Sequence, residues 1–369
     1  MAIGVIDTSQ YDTQLVEKLT LIQSQFESLT IPDIQVYRSP VNHYRYRAEF
    51  RVWHDGDDMY HIMFNPEDKS KIRIDQWEPA GKTIFNLMPV LIEKLKSQPA
   101  LRRKLFQIDY LATLSGEILV SLLYHRQLDA DWMTAIQQLK AELSESLNIN
   151  FIGRARKQKI NVERDFVIEK LTVQDREIAY QQIENSFTQP NPFVNQHMLT
   201  WACEVTGQSS NQQKDLLELY CGNGNFTLAL SNNFKRVIAT EIAKSSVKSA
   251  NYNAELNHID NVTVLRMSSE EFAEARNGRG KYVKKLNEIG FDDYDINTVL
   301  VDPPRAGLDD ETVRQISQYD EIVYISCNPD TLKNNLDELY KTHRIEHFAI
   351  FDQFPYTHHI ESGVKLVRK

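Results

Sequence analysis

Beyond residue 215 short apolar runs recur with helical stretches between most of them: 216–220, 237–241, 262–266, 298–301, 322–325 and 347–351, with a last strand expected over 364–367. Runs this short, separated by helix-length segments, predict an open, mostly parallel sheet with helices on both faces. Such a sheet fixes where a ligand goes, because its sites lie beyond the carboxyl ends of the strands. The residues that end the runs are therefore the ones to read for chemistry.

The first half of the chain has a different grammar. Ser9 is placed to cap a helix whose apolar residues Leu15, Leu19, Ile22, Phe26 and Leu29 step by four and three, and Ile31-Pro32 ends it. From Tyr44 the period changes to two. Tyr44, Tyr46, Ala48, Phe50 and Val52 share one face of a strand, and Arg45, Arg47, Glu49 and Arg51 the other. Asp55-Gly56-Asp57 and Asn65-Pro66 turn the chain into a meander with arginines on one face. A helix over 84–95, strands over 106–114 and 118–124, a helix over 132–147 and strands over 150–155, 159–162 and 166–170 complete an α+β unit. Phe187-Thr188-Gln189-Pro190-Asn191-Pro192 reads as the linker. The expected division is an N-terminal helix at 1–40, an α+β domain at 41–180 and an α/β domain at 181–369.

A chain of 369 residues is long for one ordinary core, which agrees with that division. Its three cysteines, Cys203, Cys221 and Cys327, cannot build a disulfide framework, a four-thiolate zinc site or an iron–sulfur site by themselves. No iron–sulfur cluster and no metal are expected, and a reducing cytoplasm is the natural compartment. Met1-Ala2-Ile3-Gly4-Val5-Ile6-Asp7 lacks the basic segment of a signal peptide, and no apolar run is long enough to cross a bilayer, so no membrane association is expected. A net charge of −9 argues against a protein that coats nucleic acid non-specifically. Three basic clusters in the first half still suggest a modest anionic footprint: Arg45, Arg47 and Arg51; Arg102, Arg103 and Lys104; Arg154, Arg156, Lys157 and Lys159.

Four strand ends carry the chemistry. Residues 218–226 run from a strand through a glycine turn into a helix, and Gly222 and Gly224 let backbone amides approach a ligand closely. The turn lacks the three-glycine dinucleotide fingerprint, which argues against a nicotinamide enzyme. Glu241, about 20 residues on at the end of the second strand, suits the two hydroxyls of a ribose. Asp302-Pro303-Pro304-Arg305 ends the fourth strand, where prolines stiffen the exit and present carbonyls and Asp302 to a planar group. Cys327 ends the fifth, and Asn328-Pro329 reads as the N-cap and first position of the next helix. The positive end of that helix favours thiolate over thiol, against a free pKa of about 8.5.

The set 218–226, 302–305, 326–329 and 351–361 resembles the RNA uracil-5-methyltransferases that use S-adenosylmethionine, and the likeness extends through 44–74 and 106–125, nearly the whole chain. It is most similar to the tRNA branch: relatives acting on ribosomal RNA usually carry a four-cysteine motif, and many begin with an oligonucleotide-binding barrel. The resemblance implies a Rossmann-like methyltransferase domain with a mostly parallel seven-stranded sheet, preceded by a smaller α+β RNA-binding domain. It also implies a monomeric cytoplasmic enzyme acting on the T loop of tRNA, with the tRNA-like arm of tmRNA as a further candidate substrate. By the same likeness Cys327 is the nucleophile and Glu361 the proton acceptor. Gln189, Tyr220, Gly222, Asn225, Glu241 and Asp302 hold the methyl donor. Arg305, directly after Asp-Pro-Pro, is placed by that likeness to contact the uracil, while the residues themselves offer Arg51 in a basic cluster, Phe106 beside Arg102, Arg103 and Lys104, and His125 after Tyr124 as candidates on the RNA side.

The chemistry requires these residue types independently. C5 of uracil is a poor nucleophile until something adds at C6, and a thiolate is the natural addend. After methyl transfer C5 still carries its hydrogen, which a carboxylate such as Glu361 removes if partial burial raises its pKa from about 4.3 towards neutrality. Arg305 is the candidate donor to the developing enolate oxygen. His358 and His359 compete for the base role, although adjacent histidines are more often hydrogen-bonding residues. The uridine must leave its stack at a cost of a few kcal/mol, and aromatic stacking on Phe106 or His125 recovers about 1–3 kcal/mol per base. Two other functions fit the same residues: a ribosomal RNA uridine of similar loop shape, or an RNA-folding factor for which methylation is secondary.

Overall fold

The computed structural model describes residues 6–207 and 211–369, so most of the non-basic opening segment noted above lies outside the described residues. Two compact units divide the chain. One holds Pro40–Lys170 and Gln181–Pro192 with the residues up to Ser9; the other holds Gln10–Ser39, Leu171–Tyr180 and Phe193–Lys369.

The chain begins with α1 (Tyr11–Gln25) and the short strand β1 (Gln35–Tyr37), both in the second unit. Ser9 does not cap α1. A 3₁₀ turn over Thr8–Gln10 precedes the helix, and Ser9 Oγ donates to Asp7 Oδ1 at 2.6 Å instead. The apolar seam of α1 is as expected: Tyr11, Leu15 and Ile22 are buried, and Ile22 and Phe26 join the core of the second unit. Residues 10–39 thus share that unit's core.

The first unit then runs β2 (Arg47–Asp55), β3 (Asp58–Phe64), β4 (Lys71–Ile74), α2 (Lys82–Lys96), α3 (Pro99–Arg102), β5 (Leu105–Ala112), β6 (Glu117–Tyr124), α4 (Ala130–Leu143), β7 (Asn148–Ala155) and β8 (Gln158–Asn161). These strands order as β4-β3-β2-β5-β6-β7-β8. All pairs are antiparallel except β6–β7, which is parallel because α4 carries the chain back across the sheet. Ala48, Phe50 and Val52 of β2 point into a core with Leu91 of α2 and Trp132 of α4, while Glu49 and Arg51 stay exposed. The expected arginine face is not uniform. Arg45 Nε bonds Arg47 O at 3.0 Å and Arg47 Nη1 bonds Ser186 O at 2.6 Å, so of these three arginines Arg51 alone is exposed. A hairpin of β9 (Phe166–Val173) and β10 (Arg176–Ile183) follows. β10 escaped the sequence reading because only Ile178 and Tyr180 of its polar run are buried.

The second unit continues with α5 (Pro192–Gly207), β11 (Asp215–Leu219), α6 (Asn225–Leu230), β12 (Arg236–Glu241), α7 (Lys244–Leu256), β13 (Val262–Arg266), α8 (Ser269–Arg276), α9 (Val283–Glu288), β14 (Ile296–Val301), α10 (Asp310–Ile316), β15 (Glu321–Ser326), α11 (Pro329–Leu339), β16 (His343–Phe351) and β17 (Glu361–Arg368). Its sheet has the order β1-β16-β17-β15-β14-β11-β12-β13. Only β17 runs against its neighbours. Seven of these strands make the Rossmann-like sheet expected, and β1 adds an eighth beside β16, with the Tyr37 ring stacked 5.0 Å from Phe351. Three residues are too few to show a period of two, which hid β1 in the sequence. Strand order reverses between β11 and β14, so the ligand crevice of such a sheet opens past Leu219 and Val301. No helix among the described residues is long and apolar enough to cross a membrane.

Candidate active site

Past β11 the chain turns through left-handed conformations at Tyr220 (φ 64°), Gly222 (φ 56°) and Gly224 (φ 86°). The Gly222 N–H donates to Glu241 Oε2 at 3.1 Å and the Ala243 N–H donates to Glu241 Oε1 at 2.7 Å. Those two bonds hold the carboxylate beside the glycine turn and leave lone pairs for ribose hydroxyls. Tyr220 is pinned through its hydroxyl to Ser269 Oγ at 2.8 Å. Asn225 exchanges two side-chain hydrogen bonds with Asn195, each of 2.9 Å. Asn195 and Ile242 were missed in the sequence. Ile242 is 65 % exposed directly after Glu241 and offers an apolar surface beside the carboxylate, and that adjacency was its readable signal. Asn195 had none, since its partner lies far along the chain. Gln189 is partly buried in the first unit.

Past β14, burial raises Asp302 to about 7 with no cation among the causes. Glu218, on β11, accepts from Thr227 Oγ1 at 2.6 Å and is raised to about 8, chiefly by burial and in part by Asp302. Buried acids without a cation make a site that favours an incoming positive charge. Together with Glu241 and the glycine turn, they fit the sulfonium and ribose of S-adenosylmethionine.

Cys327 and Glu361 meet through strand pairing. β15 and β17 are antiparallel, with Ser326 opposite Ser362, so the next residue out on each strand is Cys327 on one and Glu361 on the other. Asn328 caps α11 by accepting from the Asp330 N–H at 3.1 Å, and Pro329 opens the helix, as the sequence predicts. The expected thiolate is not the resting state. Burial, then the Glu361 and Asp302 carboxylates, push the Cys327 thiol up to about 11, against a backbone hydrogen bond and Arg305 that pull it down. Glu361 is itself held well above the usual carboxylate range by burial and by Asp302. Helix position alone did not reveal this, because the acids that oppose it come from other strands.

Arg305 is exposed, its Nη2 lying 3.3 Å from His359 Nδ1, and its carbonyl accepts from Asn328 Nδ2 at 3.0 Å. His359 therefore sits with the arginine. In the first unit, Phe106 and His125 stack with centroids 3.8 Å apart and planes 12° from parallel, and the Arg51 guanidinium lies 5.4 Å from the Phe106 centroid. The stack borders a cleft of about 620 Å³ also lined by Tyr124, Arg126, Arg154 and Arg156. The sequence brings Arg51, Phe106 and His125 together only through the pairing of β2 with β5 and β5 with β6.

The chain is 55% identical over the full length of both chains to tRNA/tmRNA (uracil-C(5))-methyltransferases of Photobacterium profundum and Vibrio parahaemolyticus. Its fold matches the crystal structure of Pyrococcus abyssi tRNA (uracil-54, C5)-methyltransferase in complex with S-adenosyl-L-homocysteine, with a TM-score of 0.70 at 22% identity over 97% of this chain and 83% of that one. The model of the tRNA (uracil-5-)-methyltransferase family spans residues 10–369, and the chain belongs to that family.

Proposed function

We propose that the protein methylates C5 of the T-loop uridine of tRNA, and of the tRNA-like arm of tmRNA, as a monomer in the cytoplasm. The observation that carries this reading is the pairing of β15 with β17, which sets a thiol and a carboxyl side by side at the strand ends. Cys327 gives up its proton to solvent and forms a bond from sulfur to C6, and the electrons of the C5–C6 double bond move onto the C4 carbonyl oxygen, where Arg305 is the donor that meets them. S-adenosylmethionine, when bound, supplies the methyl group and a positive sulfonium charge. Asp302 is held towards its neutral form by burial, Glu361 by burial and Asp302, and Cys327 by burial, Glu361 and Asp302, and these are the groups whose ionisation such a charge favours. C5 takes the methyl group with the electrons returned from that oxygen, and Glu361, in its ionised form, then accepts the proton that C5 still carries. The C5–C6 double bond re-forms, and the bond to Cys327 breaks with its electrons returning to sulfur.

Tyr220, Gly222, Asn225, Glu241 and Asp302 bind the donor in this reading. Arg51, Phe106 and His125 receive the unstacked T loop on the α+β unit, since a basic, aromatic surface accepts bases out of their stack. The test is labelled methyl transfer to unmodified tRNA, to a tRNA with the T-loop uridine changed to cytidine, to tmRNA and to ribosomal RNA fragments, with the modified base mapped. Label is expected in tRNA and tmRNA at that uridine. Label confined to ribosomal RNA would refute the reading.

A further inference from the structure

Lys18 lies on the buried face of α1, among Tyr11, Leu15 and Ile22, and is only 6 % exposed. An ammonium in that position costs several kcal/mol unless it is paired and hydrogen-bonded. Its Nζ meets Asp352 Oδ1 at 2.7 Å and Phe354 O at 3.0 Å, and Gln14 Nε2 donates to the other oxygen, Asp352 Oδ2, at 3.1 Å. The Asp352 N–H donates to Tyr37 O on β1 at 3.0 Å. Asp352 is fully buried, and residues 14–37 thus hold both its oxygens and its amide.

Asp352 opens the connection 352–360, whose ends are the paired residues Phe351 and Glu361. Within this connection Phe354 meets His359 edge to face at 5.9 Å, and His359 holds Arg305 at 3.3 Å. Arg305 in turn accepts through its carbonyl from Asn328, the residue after Cys327. A continuous set of contacts therefore runs from α1 to the side of the site that faces the pyrimidine. The glycine turn and Glu241, assigned above to the methyl donor, are held by a different set of bonds, from the Gly222 and Ala243 N–H groups to the Glu241 carboxylate.

We infer that Lys18 is a positioning residue for pyrimidine capture, acting through Asp352, Phe354 and His359 on Arg305. The inference rests on the reading of Arg305 as the residue that meets the uracil. Lys18→Met keeps the length of the side chain and removes its cation. It should lower kcat/KM for tRNA by about tenfold while KM for S-adenosylmethionine stays unchanged, and Lys18→Arg should restore most of the loss.

The decisive measurement is a double-mutant cycle with Arg305→Ala. If Lys18 acts through Arg305, Lys18→Met costs little once Arg305 is gone. Because Lys18→Met leaves a buried carboxylate without its cation, the same cycle is run with Lys18→Met/Asp352→Asn, which leaves no unpaired charge should the single variant unfold. Additive losses, or an equal rise in KM for the donor, would overturn the inference and leave the assignment of Arg305 intact. Wild-type kinetics in Arg305→Ala would remove both.

Discussion

Cys327 and Glu361 stand one residue beyond the Ser326–Ser362 pair, at the same end of two antiparallel strands. A thiol and a carboxyl that are far apart in sequence become neighbours because β17 is the one strand of its sheet that runs backwards. Their proximity has an electrostatic cost, since the carboxylate opposes ionisation of the thiol.

That cost is measurable by titrating the thiol. Cys203 and Cys221 are buried, at 2 % and 3 % exposure, so alkylation reports Cys327. The alkylation rate of the resting protein should climb with pH towards a midpoint near 11. In Glu361→Gln or Asp302→Asn the midpoint should fall, because each substitution removes a negative charge facing the thiolate. Addition of S-adenosylmethionine should lower it as well. A resting midpoint near 8.5, the value of a free thiol, would contradict the account.

RNA carrying 5-fluorouridine at the T-loop position should become covalently attached to the protein, because fluorine at C5 leaves no proton for Glu361 to remove. Intact mass spectrometry reads the adduct. Cys327→Ala should give none.

With ordinary tRNA, Glu361→Gln should still transfer the methyl group but release product slowly, with turnover reduced by about a hundredfold or more. Methylated RNA should accumulate on the protein in a single-turnover experiment. Normal turnover would take Glu361 out of the mechanism.

Phe106→Ala and His125→Ala should each weaken tRNA binding by about tenfold to a hundredfold, the range for loss of one stacked base. KM for S-adenosylmethionine should not change. Arg51→Gln should lower the salt dependence of binding by about one unit in the slope of log K against log salt, if Arg51 contacts a phosphate. Equilibrium binding at several salt concentrations separates the two effects.

Glu218 makes stability pH-dependent with a definite sign. Its folded pKa of about 8 lies above the ordinary 4.5, so the folded state binds the extra proton between those values. Stability contributed by that proton is fully present below about pH 4.5 and is lost as pH rises to about 8, at about 1.4 kcal/mol per unit. Glu218→Gln, which still accepts from Thr227, should flatten that decline. Thermal unfolding across pH 5–8 would show parallel curves for the two proteins if the assignment were wrong.

Local signals carried much of this protein. The period of two in β2, the turns on either side of β3, and Asn328-Pro329 ahead of α11 are all set by neighbouring residues, and each appears where the sequence places it. The misses share a cause. β1 is too short to have a period, β10 buries two side chains in a polar run, and the Asn195–Asn225 pair joins residues with no common motif. Arg45 and Arg47 looked exposed because alternation tells which face a side chain leaves from, and not which carbonyl it then finds.

The sequence by itself determined the two kinds of sheet, the strand ends at which chemistry collects, and the residue types that such chemistry needs, because backbone periodicity and capping act within a few residues. Only the tertiary structure decided the state of those residues. Whether Cys327 rests as thiol or thiolate depends on Glu361 and Asp302, which arrive from other strands. The loop before Glu361 is held by a lysine from the first helix. Charge and burial act through space, and the chain order does not record which groups will face one another.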